Sequence, residues 1–305
     1  MRKILIISNS RMFFLYLLLG NTNLKDVELS IFSRWKNNKN IVPDIEVTKS
    51  TSLVKLLIDK LILNIKFYIE FNFMNDKNSY VVYGADHILG ATFFLKRYKF
   101  YLIEDGTENY QLRNYKRSWK NRLFSLPKFG MHKNVVKIYL TKEDNVPDCI
   151  KHKVEYINIK VLWNKKTENE KNEILNILNV DKAKIKQLNE KSIILFTQPL
   201  SEDNVLTESE KISLYKDIIS KYDLSKLVIK PHPREKTDYS KYFPEITVFS
   251  ETYPSEVLDV LGVNFDKAVT LFSTAVFSYP KENVDFYGTK IHPKLLARFG
   301  NIEYE

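Results

Sequence analysis

Short apolar and β-branched runs alternate with longer stretches of helical period along the whole chain. In the first half, residues 3–7, 27–32, 79–83, 100–103 and 136–140 read as strands, each closing on polar or turn-forming residues. Between them, residues 52–74 give the clearest helix. There Leu53, Leu56, Leu57, Leu61 and Ile65 recur at helical spacing while Lys55, Asp59, Lys60, Asn64 and Lys66 interrupt them. Basic residues beside so broad an apolar surface suit either packing on a sheet or contact with lipid headgroups. From about residue 164 to 191 the pattern weakens into a Lys-, Glu- and Asn-rich stretch that reads as a connector. A second series follows, with strands at 192–196, 227–229, 246–249 and 268–272 and a helix at 208–222. Strand and helix in alternation predict α/β architecture with mostly parallel sheets, in two Rossmann-like domains: residues 1–165 and 166–305.

Composition narrows the class. Hydrophobic residues are 44% and charged residues 28%, the balance of a folded globular protein. No two of the eight glycines lie two positions apart, which excludes a G-x-G-x-x-G fingerprint. The single cysteine, Cys149, excludes an internal disulfide and a thiolate metal cluster, and points to a reducing compartment. Residues 1–7 read as a first strand rather than a leader, because Ser8, Asn9, Ser10 and Arg11 cut the apolar run short. The longest unbroken apolar run, residues 12–19, is well below the ~20 residues of a membrane span. A net charge of +10 favours an anionic partner, such as a phosphorylated substrate, an acidic membrane surface or nucleic acid.

In open α/β sheets ligands bind beyond the carboxyl ends of the strands, so polar residues that follow apolar runs are the candidates. The first set is Glu104-Asp105-Gly106, two carboxylates at a strand end with a glycine for the turn, suited to a general base or to a capped turn. The second is Lys230-Pro231-His232-Pro233-Arg234. Here two prolines stiffen the backbone around an imidazole flanked by cations, an arrangement suited to a phosphate leaving group or to a basic surface turn. The third is Ser273-Thr274, hydroxyls after a strand that suit phosphate binding or a helix cap. Glu256 stands at the start of another helix, where it would accept from ribose hydroxyls or complement the helix dipole. Asp203 follows the first strand of the second series and is a competing base. His292-Pro293 follows no apolar strand and reads as a loop or helix start, and His87, His132 and His152 are not clustered in the sequence.

Taken in order, these strings resemble the motif set of bacterial sialyltransferases of GT-B type. Ile103-Glu104-Asp105-Gly106-Thr107 and Lys230-Pro231-His232-Pro233-Arg234-Glu235 are most similar to the lipooligosaccharide and capsule enzymes of glycosyltransferase family 52. The resemblance implies two Rossmann-like domains facing across a cleft, and transfer of sialic acid from CMP-Neu5Ac to a terminal galactoside with inversion, α-2,3 being the expected linkage, without a metal or cofactor. It implies Asp105 as general base, His232 as proton or hydrogen-bond donor to the leaving phosphate, Ser273 and Thr274 on its oxygens, Lys230 on the donor and Glu256 on the ribose. Glu104, Gly106 and Pro233 would shape the substrate site. No D-x-D sequence occurs, so the diphosphate–metal clamp of another transferase class is missing. A cytoplasmic enzyme on the inner face of the plasma membrane would follow. Two alternatives remain at this level: another GT-B transferase using a different nucleotide sugar or polyol phosphate, and a basic nucleic-acid-binding protein. The latter lacks any recognisable nucleic-acid-binding motif, so nucleic acid is not an expected partner.

Overall fold

The computed structural model describes residues 2–20, 22–33, 43–47, 53–72, 80–116, 126–251 and 253–304. The chain forms two compact units, Met1–Val180 and Asp181–Glu305. In the first, seven strands make one parallel sheet: β1 (Arg2–Ile7), β2 (Val27–Ser33), β3 (Ile45–Val47), β4 (Tyr80–Gly84), β5 (Lys99–Ile103), β6 (Val135–Leu140) and β7 (Val154–Tyr156). Their order is β3-β2-β1-β4-β5-β6-β7. The chain steps outward from β1 to β3, then returns to pair β4 on the other side of β1. The point where strand order reverses, between β1 and β4, is where a doubly wound sheet opens a crevice at its carboxyl edge.

Near-continuous apolar runs explain why β1, β4, β5 and β6 lie inside: parallel strands are covered on both faces. At the end of β4, Gly84 pairs with Ile6 of β1 at φ +126°. A Cβ there would sit 1.8 Å from the Ile6 carbonyl oxygen, so only glycine allows this closeness. The apolar run of residues 12–19 is mostly helix α1 (Ser10–Leu18), whose Asn9 cap accepts from Met12 N–H at 2.8 Å. Met12 to Leu18 are all buried, which is why no polar face interrupts the run. The expected helix at 52–74 is α2 (Leu53–Asn72); Ser52, Phe73 and Met74, like Ser79 before β4, lie outside the described residues. It packs through Phe67 and Phe71 on Phe93 and Phe94 of helix α3 (Ala91–Leu95) and on Tyr80.

The second unit holds a five-stranded parallel sheet of β8 (Ile193–Phe196), β9 (Leu227–Lys230), β10 (Thr247–Val248), β11 (Lys267–Thr270) and β12 (Val284–Phe286), ordered β10-β9-β8-β11-β12. Its reversal lies between β8 and β11. The core joins Leu195, Ile229 and Val269 of the sheet to Leu214, Tyr215 and Ile218 of helix α4 (Glu208–Ile219). That helix starts where Thr207 and Glu210 cap each other reciprocally. The charged stretch between the two series is itself helical: Glu168–Ile177 opens with the same kind of reciprocal cap, Thr167 with Glu170, and Asp181 caps Lys182–Lys186. His292 caps the helix Pro293–Phe299, the helix start expected for the second His-Pro pair. Among the described residues no helix is long and apolar enough to cross a membrane.

Candidate functional site

In the first unit the polar residues after β1, β4, β5 and β6 converge. Asp105 follows β5, and its Oδ1 accepts from Ser8 Oγ and Asn9 Nδ2, both at 2.5 Å, from the loop after β1. Its Oδ2 lies 2.9 Å from Nε2 of His87, in the loop after β4. His87 is fixed in turn: its ring stacks on Phe129 at 4.7 Å with 14° between planes, and its carbonyl accepts from Lys128 Nζ. Next to it, the fully buried Asp86 accepts from Phe129 N–H and Gly130 N–H, holding the loop that carries Phe129. Burial pushes the Asp86 carboxyl above its ordinary range, against the pull of those N–H donors. Although unclustered in the sequence, His87 has a carboxylate partner here.

Glu104, the other half of the acidic pair, is differently placed. It is 2% exposed and accepts from Arg11 Nη1 at 2.6 Å, Tyr110 hydroxyl at 2.7 Å, and the Thr141 N–H and hydroxyl. A buried carboxylate needs such saturation. These bonds tie α1, the β5 end and the β6 end together, while Asp105, with 13% of its side chain exposed, is the more accessible of the pair. Gly106, at φ +57°, starts the 3-10 turn Gly106–Tyr110 that carries the chain away from Asp105.

In the second unit the Lys230-to-Glu235 segment extends β9. Lys230 is buried, its ammonium donating to the Glu251 carbonyl and lying 5.1 Å from the centre of the Phe249 ring. Burial brings its pKa down to about 8. His232 is pinned between the prolines: its N–H donates to Glu235 Oε1 at 3.0 Å, and its Nδ1 accepts from the Arg234 N–H at 3.1 Å. Since Nδ1 accepts, the neutral ring carries its proton on Nε2. Burial, then the Arg234 charge, lowers the imidazole pKa to about 4. At neutral pH the ring is therefore an uncharged Nε2–H donor. Arg234 itself is held by Asp203 through two bonds of 2.6 and 2.9 Å, so the competing acid engages a guanidinium with both oxygens.

Beneath this loop lies a buried network that sequence reasoning missed. Glu235 accepts from Thr197 hydroxyl at 2.7 Å and Tyr239 hydroxyl at 2.6 Å as well as from His232 N–H. Lys211 of α4 is fully buried, with its ammonium within 4.0 Å of Glu202, Glu208 and Glu235. In the sequence it looks like one more surface lysine. Ser273, beyond β11, donates its N–H to Thr270 hydroxyl, and its own hydroxyl accepts from Ala275 N–H. Thr274 then begins a five-residue 3-10 turn, Thr274–Ser278, in place of an α-helix. Glu256 is the first residue of the short helix Glu256–Val260, which follows β10. Asp203, His232, Ser273 and Glu256 thus follow β8, β9, β11 and β10 respectively, all at the carboxyl edge of one sheet whose strands are ~4.8 Å apart. Among the described residues, no three His, Cys, Asp or Glu side chains are grouped to hold a metal ion.

Comparison with known proteins gives the family and the fold. The family model of glycosyltransferase family 52 matches residues 14–295. An uncharacterized protein of Haemophilus influenzae is 61% identical over 308 residues, the full length of both chains. The α/β-galactoside α-2,3-sialyltransferase of Photobacterium phosphoreum superimposes with a TM-score of 0.58 at 13% identity, covering 97% of this chain and 94% of that one. The 2,6-sialyltransferase of Photobacterium sp. JT-ISH-224, solved with CMP and lactose, gives 0.60 at 11% identity over 93% and 71%. The fold is therefore the GT-B fold of these enzymes.

Proposed function

Because the chain belongs to glycosyltransferase family 52 and is a glycosyltransferase, we propose that it transfers sialic acid from CMP-Neu5Ac to a terminal galactoside of a lipooligosaccharide or capsular glycan, with inversion and without a metal. The observation that carries this reading is His232, a neutral Nε2–H donor locked between prolines at the carboxyl edge of the second sheet. A monophosphate leaving group gains charge as the glycosidic bond breaks. A fixed donor aimed at that oxygen stabilises the departing CMP more than the intact donor, which is the condition for rate enhancement. When the phosphate binds, its charge favours the protonated ring, so His232 gains the capacity to release a proton at the moment it is needed. Lys230, buried at the end of the same strand β9, adds positive charge. Ser273 and Thr274 offer hydroxyls to the phosphate, and Glu256 accepts from the ribose.

Asp105 is the base of this reading. Its position is fixed from three sides by Ser8, Asn9 and His87, so an acceptor hydroxyl meets a carboxylate that is already oriented. Glu104 then serves from below, joining the strand ends that hold Asp105. Asp203 is the competing base: both its oxygens are engaged by Arg234, as both of Asp105's are by Ser8, Asn9 and His87, so alanine variants of the two must be compared. The α-2,3 linkage remains the expected product. Enzymes of both linkages share this fold to a similar degree, so the linkage is a matter of acceptor contacts.

The test is acceptor-dependent CMP release from CMP-Neu5Ac with lactose and EDTA present, in the native protein and in Asp105→Ala and His232→Ala. Each substitution should lower turnover by about 10²–10⁴-fold. Release that requires added divalent metal would overturn the metal-independent mechanism. Turnover of a different nucleotide sugar, with none of CMP-Neu5Ac, would move the protein to another donor class within the fold.

A further inference from the structure

The segment that carries His232 is exposed at its tip and anchored from below by the Glu235 carboxylate. Pro233 and Arg234 are exposed, whereas the side chain of Glu235 is fully buried. Its two oxygens serve different ends. Oε1 accepts from the His232 N–H at 3.0 Å and from the Thr197 hydroxyl at 2.7 Å, fastening the loop to the residue that follows β8. Oε2 accepts from the Tyr239 hydroxyl at 2.6 Å and lies 4.0 Å from the Lys211 ammonium. The Glu235 N–H closes the same turn on the His232 carbonyl at 2.9 Å. We propose that Glu235 is a positioning residue: by holding the His232 backbone it fixes the imidazole as the Nε2–H tautomer offered to the leaving phosphate. The tautomer is a property of the folded chain, while its catalytic consequence rests on the sialyl transfer proposed above.

A backbone anchor can set a side-chain tautomer because the turn is short. Nδ1 of His232 accepts from the Arg234 N–H at 3.1 Å only while residues 232–235 keep that turn. Pro231 and Pro233 stiffen the backbone but have no N–H with which to close it. Glu235 closes it twice, through its carboxylate and through its own N–H. A ring released from the Arg234 N–H takes either tautomer, and so presents a donor and an acceptor by turns to the same phosphate oxygen. The carboxylate that prevents this is buried, which requires donors and a counter-charge. Lys211 of α4 supplies the charge, and is itself held by Glu202 at 3.2 Å, Glu208 at 3.4 Å and the Thr237 hydroxyl. A tie between α4 and Tyr239 alone would need only Oε2. Oε1 is spent instead on the backbone N–H of the histidine.

The experiment is nitrogen NMR of the imidazoles in the whole, histidine-labelled protein at neutral pH, with the His232 signals assigned by their loss in His232→Ala. It needs no substrate, so its outcome is independent of the proposed activity. Native His232 should appear as the Nε2–H tautomer alone. Two variants then separate shape from charge. Glu235→Gln keeps an oxygen for the His232 N–H and Thr197 but turns an amide toward Lys211, so it should lower Tm, keep the tautomer and keep most of kcat. Glu235→Asp keeps the charge opposite Lys211 but is one methylene too short to reach the loop, so it should fold and yet give the averaged signals of mixed tautomers. With CMP-Neu5Ac and lactose it should lower kcat by about 10²-fold and leave KM for lactose nearly unchanged, the cost of a catalytic group displaced by ~1 Å. A native ring that is Nδ1–H or mixed would overturn the proposal, whatever the variants do. So would a tautomer unchanged in Glu235→Asp, or one lost equally in both variants. Mixed tautomers in Glu235→Asp alone, with no turnover of CMP-Neu5Ac by the native protein, would uphold the positioning and overturn the transfer reading.

Discussion

His232 shows how a single residue acquires its chemistry from its neighbours. Burial and the Arg234 charge both disfavour the imidazolium, bringing its pKa to about 4 from an ordinary value near 6.5. In the unfolded chain the ring protonates first as pH falls. The folded protein therefore keeps its full stability, with respect to this group, above about 6.5 and loses it progressively down to about 4. NMR titration of the imidazole should place its midpoint near 4 in the free protein. Arg234→Ala should move it upward by removing a repelling cation, and bound CMP should raise it through the phosphate. A midpoint near 6.5 that neither change moves would mean the ring is solvated, and that it meets a phosphate as an ordinary surface histidine. The residues that set this environment differ in how far the sequence announces them. Pro231, Pro233 and Arg234 adjoin His232 and were legible, whereas Lys211 and Thr197 come from other elements. Lys211 sits in an amphipathic helix at a position indistinguishable from a solvated one until α4 is packed.

At the scale of elements, what was legible follows from burial. Central strands such as β5, with Phe100 to Ile103, are covered on both faces and read as unbroken apolar runs. The unrecognised strands, β3, β7 and β12, all lie at sheet edges, and each has a charged residue at its centre: Glu46, Glu155 and Asp285. An edge strand tolerates that charge, and gains protection from edge-to-edge pairing by it, so no apolar run marks it. His87 was missed for a related reason. Eighteen positions separate it from Asp105, and only the pairing of β4 with β5 brings the two loops together. The same strand ends make a sharp prediction about glycine. Gly84→Ala puts a Cβ into the Ile6 carbonyl in addition to a left-handed φ, and should cost at least about 3 kcal/mol in urea unfolding. Gly106→Ala meets nothing within 4 Å, so only the left-handed conformation is penalised, at about 1–2 kcal/mol. Equal losses would mean that β1 and β4 can separate at the switch point without consequence.

For the whole molecule, two parallel sheets in one chain permit a division of labour, and the candidate residues already divide by unit. Asp105 and its three partners belong to the first, while Lys230, His232, Glu256 and Ser273 belong to the second. If the second unit alone recognises the nucleotide, CMP should raise the Tm of the protein, since a ligand at a hundred times its Kd stabilises the folded state by about 2.7 kcal/mol. Asp105→Asn should leave that shift intact, because it alters a residue of the first sheet, and should still abolish acceptor-dependent transfer. Ser273→Ala should reduce the shift at the same CMP concentration, by removing a hydroxyl from the phosphate; the Ser273 N–H bond to Thr270 is kept, while the Ala275 N–H loses its acceptor. Measuring both quantities in both variants separates binding from chemistry, since a base acts on the acceptor and a phosphate ligand acts on the donor. Loss of the CMP shift in Asp105→Asn would place the nucleotide against the first sheet and reverse the assignment of the two units.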